Sequence, residues 1–167
     1  MKKIILAGGC FWGVQAYYDK VKGVVKSEVG YIDGDYSNPT YEQVCNGSGH
    51  AEAVWIDYDE KIVTLNHLLK HFFQIIDPTQ RNRQGNDIGK QYRSAIYFFE
   101  QTDEVIAKEY IEKIKNNYSK PILTQVLPAK KFYPAENYHQ KYLKKNPCGY
   151  CHIDLDLVDE IDKEYFL

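Results

Sequence analysis

Apolar residues recur along this chain with two different periods, and the changes of period mark its elements. "KIILA", residues 3–7, is a short continuous apolar run and predicts a buried strand. Gly8-Gly9 then permits a tight turn, after which Phe11, Val14, Tyr17, Tyr18 and Val21 fall at helical spacing as far as the natural stop at Gly23. "VVKSEVGYID" and "AEAVWIDYD" alternate as strands do, with the turn-forming "DGDYSNPTY" after the first. Thr64 is placed to cap a helix whose apolar face is Leu65, Leu68, Leu69, Phe72, Phe73 and Ile76. The polar, glycine-bearing stretch from Asp77 to Lys90 is too long for an ordinary connection and predicts a functional loop. A strand "YRSAIYFF", a helix from Thr102 to Tyr118, a strand "ILTQVL" and a short helix "ENYHQKYL" complete the pattern. Strands interspersed with helices of unequal length predict an α+β sheet with helices packed on it.

Composition narrows the function more than the fold. The chain has 167 residues, enough for one domain with a real core and too few for two comfortable ones. With a formal net charge of -2 it offers no broad electropositive field, so nucleic acid is not expected as a partner. Fifteen tyrosines and seven phenylalanines against one methionine suit a core with polar handles or a pocket walled by rings. The opening "MKKIILAGGC" has the order of parts of a lipoprotein signal, but its apolar stretch Ile4-Ile5-Leu6-Ala7 is far below the roughly 7–15 residues such a core needs. No stretch approaches the ~18 apolar residues of a membrane span. A cytoplasmic location is therefore expected, and with it four cysteines, Cys10, Cys45, Cys148 and Cys151, that serve as thiols rather than as a disulfide framework.

Cys10 stands where a strand gives way to a helix. Free backbone N–H groups and the helix dipole there are expected to lower a thiol's pKa from about 8.5 towards neutrality, although a small cysteine filling a turn fits the position as well. Phe11 and Trp12 read as core or as an apolar wall beside a nucleophile. Strand alternation sets Glu52 opposite Ala51 and Ala53, on the side of His50, and with Val54 only through a register slip. Near apolar walls its pKa would rise, as a general acid requires; a strand-edge surface glutamate is the plain alternative. "GNDIGKQYRS" clusters Asp87, Gln91, Tyr92 and Arg93 between glycines, in the manner of a binding loop or a surface turn. His67 and His71 lie one helical turn apart without the accompanying glutamate of a metalloprotease helix, and are read as ordinary helix-face histidines, not a metal site. The acidic tail from Ile153 is read as a solvated surface segment.

"GGCFWG", "GHAEAV" and "GNDIGKQYRS", in that order and spacing, closely resemble the A-type peptide methionine sulfoxide reductases. "PTYEQVCNGSGHAEAV", "DPTQRNRQGNDIG" and the late "NPCGYCHID" extend the likeness over nearly the whole chain. The resemblance implies a ferredoxin-like two-layer α/β sandwich with a mixed sheet, long loops and an irregular C-terminal tail. It also implies one domain spanning 1–167, whose tail, 146–167, carries a resolving cysteine. Cys10 matches the family's nucleophile and Glu52 its proton donor, assisted by Tyr41 and Tyr92. Phe11 and Trp12 match the rings around the substrate's methyl group, and Asp87 the aspartate at its polar end.

The activity so implied is reduction of the S epimer of methionine sulfoxide, free or in proteins, in repair of oxidative damage. Cys10 would become a sulfenic acid, which Cys151 resolves to a disulfide. No bound cofactor is implied; thioredoxin, or dithiothreitol in vitro, serves as external reductant, and a monomer is expected. "NPCGYC" departs from the family's commonest pattern, because Cys148-Gly-Tyr-Cys151 forms a C-x-x-C. Cys148 would relay the disulfide, replace Cys151, or do nothing, while Cys45 is read as structural or incidental. Two rival readings of the C-x-x-C are weaker. A zinc element completed by His152 or His139 falls short of four ligands of its own kind, and a thioredoxin-like pair normally opens a helix after an early strand.

Overall fold

A computed structural model describes residues 1–166. β1 (Lys2–Gly8) leads through a two-residue turn into α1 (Phe11–Tyr18), followed by β2 (Val24–Ile32), α2 (Tyr41–Cys45), β3 (Ala51–Tyr58) and α3 (Leu65–Ile75). A two-strand hairpin, β4 (Arg83–Gln84) and β5 (Asp87–Ile88), precedes β6 (Ser94–Phe98), α4 (Gln101–Ile114), β7 (Gln125–Pro128), β8 (Phe132–Pro134), α5 (Tyr142–Lys145) and α6 (Leu157–Tyr165).

Six strands form one mixed sheet in the order β7-β6-β1-β3-β2-β8. Its four inner strands are antiparallel to one another, the β-α-β-β-α-β arrangement of a ferredoxin-like sandwich, and β7 adds a parallel edge beside β6. Alternation decides which residues face the helices. Ile4 and Leu6 join Val54, Ile56 and Ile96 under α1 and α3 in the main core, while Ile5, Ala7, Ala53, Ala95 and Tyr97 turn to a smaller cluster on the other face.

The two main helices are buried to different extents. α3 is amphipathic, as its spacing predicts, and Thr64 caps it by accepting a hydrogen bond from the His67 N–H at 3.2 Å. α1 is buried on most sides, including Gln15, whose amide donates to Ser27 Oγ on β2 at 3.2 Å and whose carbonyl accepts from the Lys141 N–H at 2.8 Å. That bond helps explain why "ENYHQKYL" is not one helix. It divides into a 3-10 turn at Asn137–His139 and α5, with Lys141 left-handed between them at φ 56°. Gln140 there bonds both the N–H and the carbonyl of Val29, at 3.0 and 2.9 Å, so tertiary hydrogen bonds replace the local ladder.

Three further differences from the sequence pattern have local causes. α2 arises within a turn-rich stretch because Thr40 and Gln43 form a reciprocal capping box. The Asp77–Lys90 loop is not structureless: Gln84, buried, bonds both backbone groups of Asp77 and shapes the β4–β5 hairpin. The tail is irregular from Asn146 to Asp156 but then closes on α6, which buries Val158, so it is not wholly a solvated segment.

Candidate functional site

The turn after β1 places Cys10 as the residue that opens α1. Its backbone is extended there (φ -56°, ψ 121°), and the N–H groups of Trp12 and Gly13 at the helix start favour the thiolate without a side-chain capping hydrogen bond. Gly9, at φ 88°, makes the turn possible, and a Cβ on it would lie 2.9 Å from Gln84. The thiol is nevertheless not acidic. Burial and the neighbouring Glu52 carboxyl push it above the ordinary thiol range, and the two N–H groups do not offset them. This corrects the expectation of a lowered pKa: a helix N-terminus acidifies a thiol that water still reaches, whereas Cys10 is only 8 % exposed.

Glu52 lies on β3, paired with Tyr31 of β2 in a register that shows no slip at this point. Period-2 alternation alone puts it on the face of Val54 and Ile56, beneath α1. The expected sharing with His50 is not found: the His50 ring packs against Tyr36 and Tyr133 and pairs with Ser48. Glu52 is 1 % exposed. One carboxyl oxygen accepts the Phe11 N–H at 3.2 Å, and the other, Oε2, is buried with no protein partner. Burial pushes its pKa up to about 8, against a weaker downward pull from the Phe11 N–H. The acid is thus protonated at neutral pH, beside the Cys10 sulfur.

Two phenols complete this polar end. Tyr41, first residue of α2, and Tyr92, closing a 3-10 turn at Lys90–Tyr92, are both half-buried. Burial, followed by the Glu52 carboxyl, raises both hydroxyls, which therefore keep their protons and can donate. Arg93 acts as a brace. Its guanidinium donates to the carbonyls of Gly49, Lys90 and Asp33, tying the Tyr92 turn to the approach of β3.

On the other side of Cys10 stand the rings. Phe11 is buried against Tyr31 and His139. Trp12 is half-buried, donates its indole N–H to His139 Nδ1 at 2.9 Å, and stacks on Tyr142 at 3.8 Å. Sequence reasoning missed what supports these groups. Glu136 accepts the Tyr41 N–H at 2.9 Å and the Tyr31 hydroxyl at 2.8 Å, and His139 packs on the Tyr41 ring at 4.4 Å. The only signal was an uneven mixture of charge and rings in "AENYHQKY", which hid a connector behind a helix-like pattern.

The tail runs over the same turn. Cys151 Sγ lies where a side chain on Gly13 would meet it at 3.1 Å, and His152 sits over Gly9. Tyr150 donates to Asp87 Oδ2 on β5 at 3.1 Å, bringing that aspartate to the site. All four cysteines are free; Cys148 is exposed at the tail's outer side. His139 accepts the Trp12 indole N–H and His152 sits over Gly9, and among the described residues neither forms a metal-sized cluster with Cys148 and Cys151. Cys45, read as structural or incidental, lies one helical turn after Tyr41 at the end of α2, and burial raises its thiol above the ordinary range.

A buried protonated carboxyl, a thiol at a helix start, two phenols and a ring wall converge on one turn. The family model "Peptide methionine sulfoxide reductase" matches residues 2–166. The chain belongs to this family. It is 58% identical over 158 residues to a peptide methionine sulfoxide reductase MsrA of Clostridium botulinum, covering 93% of this chain and 100% of that one. Among solved structures it is similar to Mxr1 from Saccharomyces cerevisiae in reduced form, with a TM-score of 0.86, 39% identity, and coverage of 90% of this chain and 88% of that one. Mxr1 in complex with Trx2 aligns at a TM-score of 0.61 and 29% identity, covering 84% of each chain. As a member of this family the chain is a peptide methionine sulfoxide reductase, an oxidoreductase. Among the described residues no helix is long and apolar enough to cross a membrane.

Proposed function

We propose that the reductase works through a proton-neutral exchange between Cys10 and Glu52, and the observation that carries this is the unpartnered Oε2 of Glu52 buried beside the Cys10 turn. Both groups hold a proton in the resting site. Glu52 gives its proton to the sulfoxide oxygen as the Cys10 sulfur attacks the sulfoxide sulfur, and the carboxylate so formed takes the thiol proton. The S–O bond to the substrate breaks, the oxygen passes to Cys10 as a sulfenic acid, and methionine leaves: thiol plus sulfoxide gives sulfenic acid plus thioether, with Glu52 restored.

The raised, undissociated hydroxyls of Tyr41 and Tyr92 support their assignment as donors to the sulfoxide oxygen. Phe11 and Trp12 wall the methyl group, and Asp87 holds the polar end. Exchanging the methyl and oxygen positions would leave buried donors unpaired, which accounts for selection of one epimer.

Cys151 then attacks the sulfenic sulfur, forming a Cys10–Cys151 disulfide and releasing water; its seat against Gly13 supports this. Cys148, exposed, exchanges with that disulfide and presents it to thioredoxin, whose dithiol restores the enzyme. The complex of Mxr1 with Trx2 supports thioredoxin as the reductant.

Single-turnover release of methionine from a methionine S-sulfoxide peptide tests the scheme. The Cys151→Ser variant is expected to release one methionine per enzyme and then stop with thioredoxin, while Cys10→Ser releases none. Full activity in Cys10→Ser would overturn the assignment of the nucleophile, and a Cys148→Ser variant that stops where Cys151→Ser does not would exchange the two tail cysteines.

A further inference from the structure

Away from the reductase site, the structure gathers the two α3 histidines with a residue the sequence had placed in a solvated tail. His67 and His71, one turn apart, present their Nε2 atoms to each other at 3.1 Å. Asp162 of α6 brings Oδ1 to 2.7 Å from His67 Nε2 and 2.8 Å from His71 Nε2. Among the described residues this is the one group of three such side chains whose ligand atoms all lie within 4.8 Å of one another. Both histidines are buried, with Asp162 at the rim.

The triangle has the size of one face of a metal coordination shell. Nitrogen and oxygen ligands bound at about 2.0–2.2 Å stand roughly 2.9 Å apart at right angles and about 3.4 Å apart in a tetrahedron. Two Nε2–H groups can share Asp162 Oδ1 as acceptor, but they then face each other at 3.1 Å; with the protons on Nδ1 instead, two nitrogen lone pairs and a carboxylate oxygen point at one spot. A cation satisfies all three. The other side of the site is prepared as well: His71 Nδ1 pairs with the Tyr17 hydroxyl at 2.6 Å, the outer contact that fixes a ligand ring. His67 is held by the Tyr165 ring, stacked at 3.8 Å, and borders a surface groove with Lys70 and Glu109 through which an ion can enter.

We propose that His67, His71 and Asp162 bind one divalent transition-metal ion of the zinc class, with water in the remaining position. The ion would clamp α6 to α3. Because α6 follows the irregular stretch bearing Cys148 and Cys151, the clamp anchors the far end of that stretch and confines its movement to residues 146–156.

Titration of the reduced, chelator-treated protein with Co2+ tests this. The expected result is d–d absorption at one equivalent without the thiolate-to-cobalt charge-transfer band that cysteine ligation would give, and displacement of Co2+ by Zn2+ with a rise in Tm. The substitutions Asp162→Asn and His67→Gln should each abolish both signals while leaving the metal-free circular dichroism unchanged. Tyr17→Phe, acting through His71, should weaken Co2+ binding about tenfold. Absence of d–d absorption, a charge-transfer band at one equivalent, or undiminished binding in Asp162→Asn or His67→Gln would overturn the site. Should Asp162→Asn fail to fold, the His67→Gln titration decides alone, since His67 lies at the groove.

Discussion

Two glutamates flank the Tyr41 region, and the fold treats them in opposite ways. Glu52 sits inside the sheet under α1, with one oxygen on the Phe11 N–H and the other unpartnered. Glu136 sits in the connector after β8, and both of its oxygens are paired, with Tyr31 and Tyr41. Burial pushes Glu52 up to about 8. Burial pushes Glu136 up too, but the Tyr41 N–H, its own N–H and the Tyr31 hydroxyl outweigh it and hold the carboxyl below its ordinary value of 4.5. Deep burial keeps the proton on Glu52, and hydrogen bonds to the charged form remove it from the less buried Glu136. One is a proton donor; the other is a fixed anion that holds the phenol-bearing helix in place.

The largest effect is expected from removing the donor. Glu52→Gln keeps the shape and loses the transferable proton, so single-turnover methionine release should fall about 10²–10⁴-fold. An unchanged rate would end the assignment. The same variant reports on stability. Below 4.5 folded and unfolded chains both hold the proton, and between 4.5 and about 8 only the folded one does. Unfolding there releases a proton, so stability falls as pH rises, by at most about 1.4 kcal/mol per pH unit. Urea unfolding across that window should show the decline in the native chain and a flatter profile in Glu52→Gln.

Glu136→Gln should give the opposite signature and a smaller one. With its folded pKa lowered, Glu136 contributes stability that is complete above 4.5 and is lost as pH falls through the folded value. The Gln variant should lose about 1.5–3 kcal/mol at neutral pH and show less acid-side decline, with methionine release reduced only several-fold. A loss of activity matching that of Glu52→Gln would mean that Glu136, not Glu52, governs the proton. Smallest is Gly13→Ala, whose Cβ would meet Cys151 Sγ at 3.1 Å and Ile153 Cδ1 at 3.2 Å. Because alanine also favours the helix by about 1 kcal/mol, net stability should hardly change. Turnover with thioredoxin should slow while the single-turnover rate stays as it is; slowing of both would place the tail in the reductive step.

This contrast also marks what the sequence could disclose. Cys10, Glu52 and Asp87 lie in motifs with strong local character, and β1, α1, β3 and α3 follow from clear periods. Glu136 was invisible because its partners lie far along the chain, at Tyr31 and Tyr41, and the segment carrying it imitates a short helix. The acidity of Cys10 was misjudged for a related reason. A helix start is readable from local sequence, but the burial that outweighs it comes from β3 and from the tail. α6 and Asp162 were hidden in the same way, since an acidic helix that packs one aspartate onto two buried histidines looks like a solvated one until α3 is beside it.

The central place of β1 has a consequence for the order of assembly. Its neighbours are β3 and β6, so the strand that delivers Cys10 is made well before either partner exists. During synthesis the nucleophile therefore emerges early and in the open, without Glu52 beside it and without the burial that keeps its thiol protonated in the finished site. The reductase passes through an interval in which its own active sulfur is an ordinary exposed thiol, and that interval ends only when the chain has reached Ser94–Phe98 and the sheet closes around it.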